Sequence, residues 1–267
     1  MMLPFENDIC KSINEKHSIL FSYSENIWNI AVSLITEQDI VGIDSTRAIN
    51  AAIAGIYAKQ LRLFKGISLL CEYGLSYESQ ILLRVMFELH LNLKYIEKEK
   101  DKSNVCRLFI IWDSANYFKI DRIFSESGFL ESKITEELKM QMDSIKDELI
   151  KEGINWKLFI KHGPSLKNVE NLAKDFGLTA YYNAIYRFSS SIIHSYDINS
   201  YAISDNKTIH INLSPNDRSL RDCMISSIFI LSYSLLVIDE LLKINKNNSI
   251  VDIQNIIKEM KATLKLQ

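Results

Sequence analysis

Apolar residues recur at helical spacing along nearly the whole chain. Residues 5–37 place Ile9, Ile13, Ile19, Ile27, Ile30, Val32 and Ile35 on a helical period, with room for one break. A second helix is expected from Asp44 or Ser45, as N-cap, to Gly74, a suitable residue just beyond a helix end. Ser76 is expected to cap the next helix, "YESQILLRVMFELHLNLKYIEKEK", and Ser103 the one after, which ends near Gly128. Residues 131–152 are amphipathic and densely charged, as in a solvated or protruding arm. A short helix is expected to follow Pro164 and end at Gly177, and another to run from about Thr179 to Ser195. Two helices, roughly 216–245 and 249–265, close the chain.

One stretch breaks the period. "YAISDNKTIHINL" alternates apolar and polar positions around a Ser-Asp-Asn-Lys turn, so a small β-hairpin is expected near residues 200–213. No internal repeat or linker divides the chain. The expectation is one all-α domain over 1–267, a multi-helix bundle with a single hairpin insertion.

Composition sharpens this picture. Eight Gly and three Pro in 267 residues are few, which favours long helices with short connections. Apolar residues at 47% and charged residues at 24% describe a globular chain. A net charge of −2 supplies no overall basic field, so any phosphate site must be local. Cys10, Cys71, Cys106 and Cys223 are far apart and form no C-x-x-C pair. They suggest reduced thiols in a cytoplasmic protein, with neither metal nor cofactor expected. No signal peptide is visible. The apolar run 223–238 is short for a membrane span and fits a buried central helix.

Candidate chemistry lies on two helices. Between Phe176 and Tyr196 the only charged side chain is Arg187. On a regular α-helix Tyr181, Ile185, Phe188 and Ile192 form an apolar stripe, and Asn183, Arg187, Ser190 and His194 a polar stripe nearly opposite. Arg187 and His194 are seven residues apart, about 10 Å along the axis, so both tips could reach one phosphate. Between Ser79 and Leu93 the only charges are Arg84 and Glu88, an i, i+4 pair on an otherwise apolar helix. Glu88 could neutralise Arg84, Arg187 or both. His90 lies about 120° around that helix from Arg84 and suits a core or interface position. Tyr181, Tyr182 and Tyr186 could stack bases, although tyrosines at such spacing more often belong to a core.

Arg187-x6-His194 resembles the Arg-x4–6-His signature of the HEPN superfamily, helical nucleotide-binding domains that include metal-independent RNases of toxin–antitoxin and other bacterial defence systems. Arg84-x5-His90 is a second formal match. Active members usually carry a polar residue directly after the arginine, where this chain has Phe188. The helix "LLRVMFELHLNLKYI" followed by "YRFSSSIIHS" also resembles a bacterial helical family of unknown function, with an Arg-x3-Glu helix and a later Ser-x3-His. The superfamily resemblance implies catalysis by Arg187 and His194. Asn183, Ser190 or Ser191 would orient the phosphate, Glu88 and Arg84 would support the site, and a homodimer would bring two motifs face to face. RNA, and an antitoxin or other defence protein, are the partners it implies. The competing expectation is a non-catalytic binding or scaffold module in which these groups form a structural network.

Overall fold

A computed structural model describes residues 4–36, 44–128, 131–187, 189–190, 202–204, 209–211, 214–244 and 247–265. The protein is all-α. Helices α1 (Pro4–Lys16) and α2 (Ser18–Thr36) are the expected pair with one break. The break is at His17, whose Nε2 lies 2.9 Å from an Asp217 carboxylate oxygen. Next come α3 (Asp44–Glu72), α4 (Ser76–Lys98), α5 (Lys102–Glu126) and α6 (Glu136–Lys151), and then two short helices, α7 (Trp156–His162) and α8 (Val169–Asp175). Segment α9 (Thr179–Arg187) starts as one α-turn and continues from Tyr182 as a wider π-turn. Helices α10 (Leu220–Leu242) and α11 (Asn247–Leu264) finish the fold.

The core lies where α3, α4 and α10 pack on one another, with α2 against α10, α5 against α3, and α11 against α2 and α10. Phe64 and Ile67 of α3, Leu83 and Met86 of α4, and Ile228 and Leu231 of α10 are all nearly or wholly inaccessible. Helix α10 is long and apolar enough to cross a membrane by length and composition, and most of it is buried against these neighbours. A smaller cluster of Leu108, Leu149 and Phe159 ties α5, α6 and α7 together. The charged helix α6 is therefore anchored through Leu149 at its C-terminal end, while most of its other residues meet solvent.

The caps correct several expectations. Helix α4 has Leu75 at its N-cap position, and the Ser76 hydroxyl instead donates to the Arg218 carbonyl at 2.6 Å. Asp101, not Ser103, caps α5 by accepting from the Asn104 amide at 3.0 Å. The charged helix begins at Glu136, where Thr135 caps it, rather than at 131. The helix expected after Pro164 starts only at Val169, capped by Asn168, and α7 precedes it unforeseen. At every one of these helices except α4 a nearby Asp, Asn or Thr supplies the acceptor where an amide needs one.

The end of α3 meets expectation. Gly74 has a φ of +69°, its amide donates to Cys71 and the Leu75 amide donates to Leu70, the two bonds of a Schellman motif. The Gly74 carbonyl then accepts from the Asn216 amide at 2.9 Å, fixing the α3–α4 corner to the segment that precedes α10. Two three-residue strands, β1 (Ala202–Ser204) and β2 (Ile209–Ile211), pair antiparallel with Ala202 opposite Ile211. Residues 205–208, where the hairpin turn is expected, lie outside the described residues.

Candidate functional site

The candidate site forms where α9 crosses α4 and α8. Arg84 stands on α4 with its side chain largely buried. Its NH2 group donates to the Tyr186 hydroxyl, its NH1 group lies 3.4 Å from Ser190 Oγ, and its Nε lies 3.5 Å from a Glu88 carboxylate oxygen. The guanidinium carbon also sits 3.8 Å from the centre of the Tyr186 ring. One arginine thus binds Tyr186 of α9, Ser190 just beyond it and its own i+4 carboxylate.

Helical spacing makes this meeting possible. Residues three, four and seven apart share one face, and the π-turn from Tyr182 keeps Tyr182 and Tyr186 close in phase. Tyr182 and Tyr186 stack at 5.1 Å, both half-buried, and Ile185 and Ser189 point into the core. The Ser189 hydroxyl donates to the Ile185 carbonyl at 2.7 Å. Among the described residues of this segment the inward set is therefore 182, 185, 186 and 189. The apolar stripe expected from the sequence is 181, 185, 188 and 192, of which 188 and 192 lie outside the described residues. Tyr181 is exposed, as are Asn183 and Arg187, whereas Ser190 leaves the expected phosphate-facing stripe to accept from Arg84.

Arg187 takes a different route from the one expected. Its terminal NH2 lies 3.8 Å from Glu170 on α8, its guanidinium carbon lies 5.7 Å from the Tyr182 ring centre, and 62% of its side chain is exposed. Glu88 does not neutralise it; Glu88 pairs with Arg84. Lys174, at 2.9 Å, holds the Glu170 carboxyl below its ordinary pKa, with Arg187 adding to the effect. Burial pushes the Glu88 carboxyl up, by more than Arg84, Tyr186 and Lys59 pull it down. Burial and the Glu88 charge likewise raise the Tyr186 phenol.

His194 and Ser191 lie outside the described residues, as does Phe188. His90, the other candidate histidine, is buried against Ser234 with Nδ1 2.9 Å from its hydroxyl, on a different face of α4 from Arg84. No cluster of three or more metal-ligating side chains occurs among the described residues. Sequence reasoning missed Tyr186 and Glu170 as the partners of the two arginines. The Tyr182–Tyr186 spacing was the available sign, because stacked tyrosines four apart are natural lids for an arginine.

Residues 50–209, well over half of the chain, match the model of a family described as "Family of unknown function (DUF5677)", and the chain belongs to that family. The matched region contains both Arg84–Glu88 and Arg187. No curated protein and no solved structure matches the chain.

Proposed function

We propose that the protein is a HEPN-like, metal-independent ribonuclease or RNA-binding effector of the cytoplasm, acting as the toxin of a bacterial anti-phage or toxin–antitoxin system. The observation that carries this reading is the division of labour between the arginines. Arg84 is enclosed by Tyr186, Ser190 and Glu88, while Arg187 is held loosely by Glu170 and keeps most of its guanidinium in solvent. An exposed arginine that is the only charge in its helix is placed to receive a phosphate.

In the proposed reaction His194 takes the proton of an RNA 2′-hydroxyl, and the oxygen attacks the adjacent phosphorus. Arg187 donates to the phosphorane oxygens as charge builds. The P–O5′ bond breaks, the 5′-oxygen gains a proton, and a 2′,3′-cyclic phosphate remains. A homodimer would set two such motifs together. The outer face of α5 leaves Ile110, Tyr117, Ile120 and Phe124 roughly half exposed, apolar surface that a second copy could cover. Light scattering should then return twice the 30.9 kDa chain mass; a single-chain mass removes the paired site.

The purified protein should cleave RNA in EDTA and slow bacterial growth when expressed. Arg187→Ala and His194→Ala should each reduce cleavage about 10²–10⁴-fold. Arg187→Ala should melt within about 0.5 kcal/mol of wild type, since the side chain is largely solvated. Intact RNA with and without EDTA, together with harmless expression, rules out the nuclease. The second reading, a non-catalytic binding or scaffold module such as an antitoxin or sensor, is favoured by the same enclosure of Arg84, which has the form of a structural network. On that reading both variants behave like wild type in every assay.

A further inference from the structure

On another face of α4 lies an open cleft of about 390 Å³ between α4, the start of α9 and α10. Its walls carry Phe87, Phe176, Tyr181, Phe229 and Tyr233, with Lys94, Glu97 and Glu240 as its charged groups. The volume falls in the range of small-molecule sites, and aromatic walls with few polar groups are their usual lining. Tyr181 and Tyr233 leave 41% and 37% of their surface exposed here. The Phe229 and Tyr233 rings stack 6.2 Å apart, and Lys98 and Lys261 lie over the Phe176 and Phe229 rings.

The imidazole within these walls is that of His90, and a line of buried hydrogen bonds stands behind it. Gln60, wholly buried, donates its amide to the Met86 carbonyl at 3.1 Å and to Ser234 Oγ at 3.2 Å. The carbonyl can only accept, so the orientation of the amide is fixed. Ser234 Oγ receives that proton and stands 2.9 Å from His90 Nδ1. That bond occupies Nδ1 in either tautomer, and Nε2 is the ring nitrogen it leaves for the cleft that His90 lines.

We infer that this cleft binds a planar heteroaromatic ring that hydrogen-bonds to His90 Nε2 and stacks on the tyrosines, a nucleobase from a free nucleoside or from RNA. Burial and Lys94 hold His90 at a pKa of about 4, so the ring is neutral near pH 7. The inference does not depend on the ribonuclease reading. Arg187 is outside the cleft, and Phe229 and Tyr233 belong to α10, beyond the family match.

Adenosine, guanosine, cytidine, uridine and a single-stranded RNA hexamer are the probes, each titrated by calorimetry against the full chain. At least one should bind, and Tyr233→Ala and Tyr181→Ala should each weaken it about tenfold or more, the loss of one stacking partner. His90→Phe keeps a planar ring but removes the ring nitrogens and should also weaken binding, with its fold checked by circular dichroism. The exposed tyrosine variants carry the test if that variant fails to fold. Tighter binding of the hexamer than of any nucleoside identifies RNA as the source; equal binding identifies a free nucleoside. The proposal is overturned if no probe binds, or if binding survives both tyrosine substitutions. Nuclease activity lost in Arg187→Ala with nucleoside binding intact keeps the two proposals apart.

Discussion

Arg84 and Glu88 look symmetrical in the sequence and are not so in the fold. Arg84 has three hydrogen-bonding side chains and an aromatic face, whereas 37% of the Glu88 side chain still meets water. Arg84→Ala should cost about 2–3 kcal/mol, because it strands Tyr186 and leaves a half-buried carboxylate without its cation. Glu88→Ala should cost only about 1 kcal/mol, since Arg84 keeps Tyr186 and Ser190 and water screens the pair. Denaturant melts of both variants decide the matter. Equal losses would mean that the ion pair, rather than the α4–α9 contact, stabilises this corner.

At the level of elements, the α3–α4 corner is held by a residue with no side chain. A Cβ on Gly74 would come within 2.6 Å of the Pro215 Cβ and 2.8 Å of the Asn216 amide nitrogen. Gly74→Ala therefore adds a backbone clash to the cost of a left-handed conformation and should lose about 2–4 kcal/mol. Gly153, at φ +84° with open space around its Cβ position, supplies the control. Gly153→Ala should lose only about 1 kcal/mol. Similar melting shifts for the two would mean that segment 214–218 yields to the new methyl.

For the whole molecule, acid stability should fall in two consecutive windows. Buried His90 titrates near pH 4 in the fold against an ordinary 6.5. The unfolded chain binds the extra proton between those values, so stability is full above about pH 6.5 and is lost as the pH falls toward 4. The loss should be on the order of 2–3 kcal/mol. The Asp217 carboxyl, bonded by His17 and Lys16, is held at about 2 against 3.8. Its contribution is present above about 3.8 and is lost as the pH falls toward 2, by about 1 kcal/mol once solvent screening is allowed for. His90→Gln should flatten the upper window and Asp217→Asn the lower one in melts from pH 7 to 2. An unchanged slope in either variant rejects that assignment.

Periodicity along the chain was enough to define the all-α class, the central α4 and α10 and the Gly74 corner, because each depends on residues within a few turns of one another; it allowed for a break within residues 5–37 without placing it at His17. It also marked Arg84–Glu88 as a pair, since i and i+4 are neighbours on any α-helix. Cap identities at Asp101, Thr135 and Asn168 were open to the same local reasoning, but several acceptors competed within one turn. The phase of α9 was not available. Positions 182, 185, 186 and 189 share one face of a regular helix too, about a quarter turn from the face expected, and only packing against α4 decides that this face turns inward and brings Tyr186 and Ser190 to Arg84. Likewise the pairing of Arg187 with Glu170, and the line from Gln60 through Ser234 to His90, join residues that are distant in sequence. Such contacts depend on which helix faces which, and only the tertiary structure decides that.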